Sequence, residues 1–185
     1  MHDAIGREWQ GATVQIDLNL PERFDVTYVN DKGQRERAVM IHRVLFGSLE
    51  RFVGGLIEHY AGNFPLWLAW EQVAVIPVRD TALEYAREIT AKLRAGGFRV
   101  HLDSQAGDLR NRVKEAQHRR ANYMLVVGDK EAAAGTVSVR RRGSRDEERG
   151  VAFDDFLDRV KKERDTKALP ADFAVHEPSA GDAMA

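Results

Sequence analysis

The chain has 185 residues, 28 Lys+Arg against 29 Asp+Glu, a formal net charge of −1 and no cysteine. That length allows one ordinary domain, or one small domain plus part of another. The charge balance excludes a wholly basic nucleic-acid-binding surface, and the missing cysteine excludes a disulfide framework, a cysteine metal site and a thiol nucleophile. Hydrophobic residues at 43% and charged residues at 31% are the composition of a globular chain rather than a disordered one, so any polyanion must meet a local basic patch. No run of about 18 apolar residues offers a membrane span. The start, MHDAIGREWQG, lacks the apolar core of a signal peptide. These features are those expected of a reducing, cytoplasmic setting. Because GREWQGATVQIDLNL enters strand patterning almost at once, a preceding segment is also expected.

In chain order, residues 13–20 alternate: Val14, Ile16, Leu18 and Leu20 face one way, Thr13, Gln15, Asp17 and Asn19 the other, the pattern of a half-buried strand. Residues 24–29 read as a second strand, Asn30-Asp31-Lys32-Gly33 as a hairpin-like turn, and residues 38–41 as a further strand, together an antiparallel meander. A helix is expected over 43–60, with Leu45, Leu49, Phe52, Val53, Leu56, Ile57 and Tyr60 on one face and Gly62 closing it. An aromatic connector follows, and a domain boundary is placed between residues 69 and 70. The apolar run VAVIPV reads as a buried strand, 81–95 as a helix ended by Gly96-Gly97, and 98–102 as a strand. Residues 108–120 read as a helix with Leu109, Val113 and Ala116 inward and Arg110, Arg112, Lys114, Arg119 and Arg120 mostly outward. Then come a buried strand over 123–127, an edge-type strand over 136–139 and a helix over 153–164. Alternating strands and helices predict an α/β fold, here a mixed, mostly parallel five-stranded sheet with three helices over 70–165. A disordered tail is expected over 166–185, which is rich in Ala, Pro, Ser and Asp.

On pattern alone, His42 reads as a packed or surface histidine: zinc needs three or four ligands, and His59 is too far along the helix to share one. Gly47 and Ser48 fall in the expected helix interior, where glycine costs about 1 kcal/mol against alanine and so invites the question of what approaches it. Arg51, one turn on, reads as a solvent-facing partner of Glu50 or Glu58, with a phosphate or base contact left open. The basic stretch from Arg110 to Arg120 and the run Arg140-Arg141-Arg142, placed in a loop after TVSV, form either a phosphate-tracking surface or solvated faces, the second partly neutralised by Asp146, Glu147 and Glu148.

VMIHRVLFGSLERFVGGLIEHYAGNFPLWLA (39–69) resembles the third class II signature motif of the threonyl-tRNA synthetase family. GREWQGATVQIDLNLPERFDVTYV (6–29) resembles the segment before it, and YMLVVGDKEAAAGTVSVRRRG (123–143) resembles the family's C-terminal anticodon-binding domain. The resemblance implies that residues 1–69 are the end of a class II catalytic domain with one long helix and that 70–165 is the anticodon-binding domain. It further implies that His42 is the last of three ligands to a zinc that binds threonine. Arg51 and Gln10 would be catalytic. Gln10, Thr13, Gln15, Gly47, Ser48 and Arg51 would line the site for threonine and ATP with Mg, and Arg120, Glu131 and Arg140 would bind the tRNA(Thr) anticodon. The implied reaction is ATP-dependent activation of L-threonine followed by transfer to tRNA(Thr), in a homodimer or with a companion chain. The alternative is a stand-alone tRNA- or RNA-binding accessory module without catalysis. The sequence departs from the family in three places: WQGAT stands for WQCGT, HRVLFGS for HRAILGS, and DSQAGDLRN for DLRNEKIG in a loop (104–107) that helps read the anticodon. The family's other two zinc ligands and its first two class II motifs lie upstream of the matching region.

Overall fold

A computed structural model describes residues 2, 3, 5–105, 107–144 and 146–169. Most of the expected tail, from residue 170 on, lies outside the described residues, as does Ala106 of the loop 104–107. The chain divides into two compact units between Gly62 and Asn63. Among the described residues no helix is long and apolar enough to cross a membrane.

The first unit comprises β1 (Thr13–Asp17), α1 (Asn19–Arg23), β2 (Thr27–Val29), β3 (Arg35–Arg37), β4 (Met40–Val44) and α2 (Leu49–His59). β1 pairs antiparallel with β4, setting Gln15 opposite His42 and Ile16 opposite Ile41. β2 and β3 form a hairpin around the expected turn, where Asn30 Oδ1 accepts from the N–H groups of Lys32 and Gln34 (both 2.9 Å) and Gly33 takes φ +73°. The strand expected to run to residue 20 stops at Asp17, because the Asp17 carboxylate accepts the N–H groups of Asn19 (2.9 Å) and Leu20 (3.0 Å) and opens α1.

The helix expected from residue 43 starts only at Leu49. Arg43 and Val44 continue β4, Gly47 turns the chain at φ +68°, and Ser48 is the N-cap, its hydroxyl accepting from Arg51 N at 3.5 Å. Gly47 and Ser48 are therefore not interior helical residues, and Arg51 is not one helical turn beyond Gly47. The C-terminal end is as expected: Gly62, at φ +73°, donates its N–H to Ile57 O at 2.8 Å. Val14, Ile16 and Ile41, on one face of the β1–β4 pair, are each more than 60% exposed.

The second unit contains β5 (Val73–Pro77), a 3₁₀ turn (Asp80–Ala82), α3 (Leu83–Ala95), β6 (Val100–Leu102), α4 (Leu109–His118), β7 (Tyr123–Val127), α5 (Asp129–Ala134), β8 (Thr136–Arg141), β9 (Glu147–Ala152) and α6 (Phe153–Asp165). The sheet order is β6-β5-β7-β8-β9. β5 lies parallel to β6 and β7, while β8 is antiparallel to β7 and β9, so the sheet is mixed in equal parts rather than mostly parallel. The β7–β8 link holds only the short α5, and a parallel crossover needs a connection of about a dozen residues or more. β8 is an interior strand, not an edge, and it includes Arg140 and Arg141, which the sequence placed in a loop.

Two apolar layers hold the sheet. α3 and α6 pack on one face through Ala86, Ile89, Leu93, Phe153, Phe156 and Val160. α4 packs on the other through Val113 and Ala116 against Ala74, Ile76, Met124 and Val126. The connector joins this unit: Leu66 is fully buried in the first layer, Gln72 Nε2 donates to Leu66 O at 2.7 Å, and Arg99 Nε donates to Ala69 O at 2.7 Å. Two of the arginines read as outward are held inward. Arg112 donates to Asp103 Oδ2 (3.0 Å), Asp103 O (2.7 Å) and Pro77 O (2.8 Å), and Arg119 pairs with the buried Glu71 at 3.0 Å.

Candidate functional site

Each unit gathers its own set of the residues singled out above. In the first, strand period two puts Thr13, Gln15 and Asp17 on the same side of the β1–β4 pair as Met40, His42 and Val44. Gln10 and Gly11 lead into β1, and Gly47 backs onto them. A Cβ on Gly47 would lie 3.1 Å from Gly11 O and 3.2 Å from Gln10 O, so that turn is open only to glycine. The close approach sought for Gly47 is thus with the backbone of Gln10 and Gly11.

Arg51 does not pair with Glu50 or Glu58. Its guanidinium lies over the Trp9 ring, 5.5 Å from the centroid, while Glu50 accepts from Ser48 Oγ at 2.7 Å. Arg7 contacts the same ring at 5.5 Å, and Trp9 Nε1 donates to Asp3 Oδ2 at 3.0 Å. That bond, with the donors of Arg7 and Ile5, holds the Asp3 carboxyl well below the usual range. A cavity of about 380 Å³ opens beside Trp9 and Arg51, floored by Gly54 and Gly55 of α2.

His42 Nε2 lies 3.1 Å from Asp17 Oδ2. The Leu20 N–H and then His42 hold the Asp17 carboxyl below its ordinary value. Among the described residues no group of three or more His, Cys, Asp or Glu side chains can hold a metal ion. One histidine and one carboxylate do not make a tetrahedral zinc site; His42 can be one ligand and no more.

In the second unit, Glu131 sits in the first turn of α5. Its Oε2 accepts from Gly128 N at 3.0 Å and its Oε1 from Ser138 Oγ at 3.1 Å. Ser138 and Arg140 alternate on β8, so both face the α4 side of the sheet, opposite Val126 and Met124. No residue of β8 or β9 belongs to the apolar layer under α4; a polar strip stands there instead. Arg140 Nη2 donates to Glu147 Oε2 at 3.1 Å across the β8–β9 register.

Arg120 does not join this strip. It precedes β7, whereas Glu131 follows it, and its Nη1 donates to Asn63 Oδ1 at 2.6 Å beside a cavity of about 370 Å³ lined also by Gln117, Arg142 and Ser144. Sequence reasoning missed Trp9, Asp17 and Ser138 as site residues, whereas Glu147, read as one of the acids neutralising the Arg140–Arg142 run, does pair with Arg140. The alternation of Ser138 with Arg140 on one strand was the signal available for Ser138.

Known proteins place both units in one class. Residues 1–60 match the family model "tRNA synthetase class II core domain (G, H, P, S and T)", and residues 72–163 match "Anticodon binding domain". The threonine–tRNA ligase of Deinococcus deserti is 54% identical over 156 residues, 83% of this chain and 24% of that protein. The ligase of Thermus thermophilus is 52% identical over 140 residues, 76% of this chain and 21% of that protein. The solved RNA-binding domain of threonyl-tRNA synthetase from Cryptosporidium parvum superposes with a TM-score of 0.74 at 34% identity, over 88% of this chain and 41% of that one. The chain belongs to the threonyl-tRNA synthetase family of class II aminoacyl-tRNA synthetases. It spans about a quarter of the length of the curated relatives it matches.

Proposed function

We propose that this chain is the C-terminal part of a threonine–tRNA ligase, which activates L-threonine with ATP and Mg in the cytoplasm and transfers it to tRNA(Thr). The observation that carries this reading is the convergence in the first unit: Gly47 closes onto Gln10 and Gly11, Ser48 caps the helix that carries Arg51, and Thr13, Gln15 and His42 share one strand face. Arg51, always charged, stabilises phosphate oxygens as the adenylate forms. Gln10, Thr13 and Gln15 supply polar partners for the substrate, and a site built to bond a hydroxyl rejects a methyl isostere far better than an apolar pocket does. Zinc, when bound, supplies a Lewis acid for the amino and hydroxyl groups of threonine; His42 is the one ligand from this chain, and the others come from outside these residues, upstream or on a companion or dimer subunit. In the second unit, Glu131 and Arg140 read the anticodon and Arg120 holds the RNA from the other end of β7.

The test has two arms. The pure chain should give no threonine-dependent pyrophosphate exchange; robust exchange would show that one histidine suffices. It should bind tRNA(Thr) more tightly than an anticodon-swapped transcript, and equal affinity would remove anticodon reading. The second reading, an RNA-binding accessory module, is favoured by one observation: every buried hydrophobic residue among those described lies between Leu66 and Val160, so the second unit carries a core of its own. A chain that binds tRNA(Thr) but never restores aminoacylation when mixed with the upstream catalytic half would select that reading.

A further inference from the structure

Arg140 is a half-buried arginine on the polar face of β8, and its guanidinium carries its own counter-charge. Its side chain is 38% exposed, and its Nη2 donates to Glu147 Oε2 at 3.1 Å. Its Nε is buried with no hydrogen-bond partner among the described residues, so the side chain is pinned along the strip rather than extended into solvent. Glu147 is 17% exposed and also accepts from Arg149 Nη2 at 3.1 Å. Burial pushes the Glu147 carboxyl up, but the hydrogen bonds from Arg149 and Arg140 outweigh it and hold the group below its ordinary value, so it stays ionised at neutral pH. The register places Glu147 directly opposite Arg140, and Ser138 orients Glu131 on the same face.

We infer that Glu147 is the positioning residue that commits Arg140 to a nucleobase edge rather than to a phosphate. This rests on the proposal that the second unit reads an anticodon. A phosphate would have to compete with the Glu147 carboxylate for the guanidinium, and the exchange of one anion for another gains little. A neutral base edge with acceptor atoms, such as the O6 and N7 of a guanine, can take the remaining N–H donors while the ion pair persists. Glu147 thereby turns a charge that would raise affinity for every RNA into one that distinguishes bases.

The experiment uses the full 185-residue chain and two probes, an anticodon stem-loop of tRNA(Thr) and the same RNA with the anticodon replaced, titrated over a range of salt. Glu147→Gln should bind the replaced RNA more tightly, lose about tenfold of the discrimination between the two, and show a log K against log salt slope steeper by about 0.7. Glu147→Asp keeps the charge on a shorter arm and should retain the parent's salt slope while losing part of the discrimination. If Glu147→Gln keeps the parent's discrimination and slope while Arg140→Ala loses discrimination, Glu147 has no such role. If the parent itself binds both RNAs equally, the anticodon reading fails and takes this role with it.

Discussion

Arg112 sits on α4 where the sequence pattern points it toward solvent, yet its side chain is only 10% exposed and makes three hydrogen bonds, to Asp103 and Pro77. Asp103, 7% exposed, pairs with it, and Asp103 in turn accepts the Gln105 N–H at 3.0 Å. Removing one member of such a pair leaves the other buried and uncompensated. Arg112→Ala should therefore lower the unfolding free energy by about 3 kcal/mol, read as a shift of the urea midpoint without a change of slope. The pair was illegible in the sequence because Asp103 lies across a loop from the helix, and helical periodicity reports only neighbours on one element. Gly47 failed for a related reason. It falls inside a segment whose apolar spacing reads as a helix, while the approach of Gln10 and Gly11 that its positive φ allows comes from a distant segment. Strand alternation alone puts Thr13 and Gln15 on one face; His42 joins them only through the β1–β4 register, which no single strand's pattern contains.

Among the elements, the strands that are apolar throughout were the easiest to recognise: β5 and β7 are buried at every position and announce themselves as runs of Val, Ile, Leu and Met. β9 is half charged, and β3 reads RER, so neither carries a period; their pairing is imposed by the neighbouring strand and the turn. α5 is short and rich in Ala, and it hides behind the Gly128-Asp129 signal that closes β7. The packing of β7 against α6 yields a pH prediction. The Tyr123 hydroxyl donates to Glu163 Oε2 at 2.5 Å, and its ring meets Phe156 edge-on at a centroid distance of 5.5 Å. Burial, then the bond to Glu163, pushes the phenol well above its ordinary value near 10. A group raised on folding keeps its proton in the native state and sheds it in the unfolded one, so its stabilising contribution is whole below pH 10 and declines as pH rises beyond it. The thermal midpoint should fall above about pH 10 in the parent, and Tyr123→Phe should flatten that fall. Tyr28, Tyr85 and Lys92 are also raised and contribute to the part that persists.

Over the whole molecule, burial is distributed unevenly, and this sets how the chain opens. All buried hydrophobic residues among those described fall between Leu66 and Val160, whereas Pro21 is the one buried residue described before Asn63. The candidate site residues of the first unit thus lie on a scaffold whose apolar residues, Val14, Ile16 and Ile41 among them, remain exposed. Apolar burial contributes about 25 cal/mol per Å² to stability, so the first unit has little of its own to resist local opening. Amide hydrogen exchange measured on the intact chain should separate the two. The amides of β5, β7 and β8 should be the slowest and should exchange only through global unfolding. Those of β1 and β4 should open at a free energy several-fold smaller and respond weakly to Arg112→Ala, which acts on the second core. Equal protection in β1 and β7, with both falling together in Arg112→Ala, would mean that the two units unfold as one. Adding the upstream catalytic half, if it covers the β1–β4 apolar face, should raise protection in β1 and β4 and leave β7 unchanged. The candidate site of the first unit would then be rigid only in that company, while the polar strip of the second would need no partner to hold its shape.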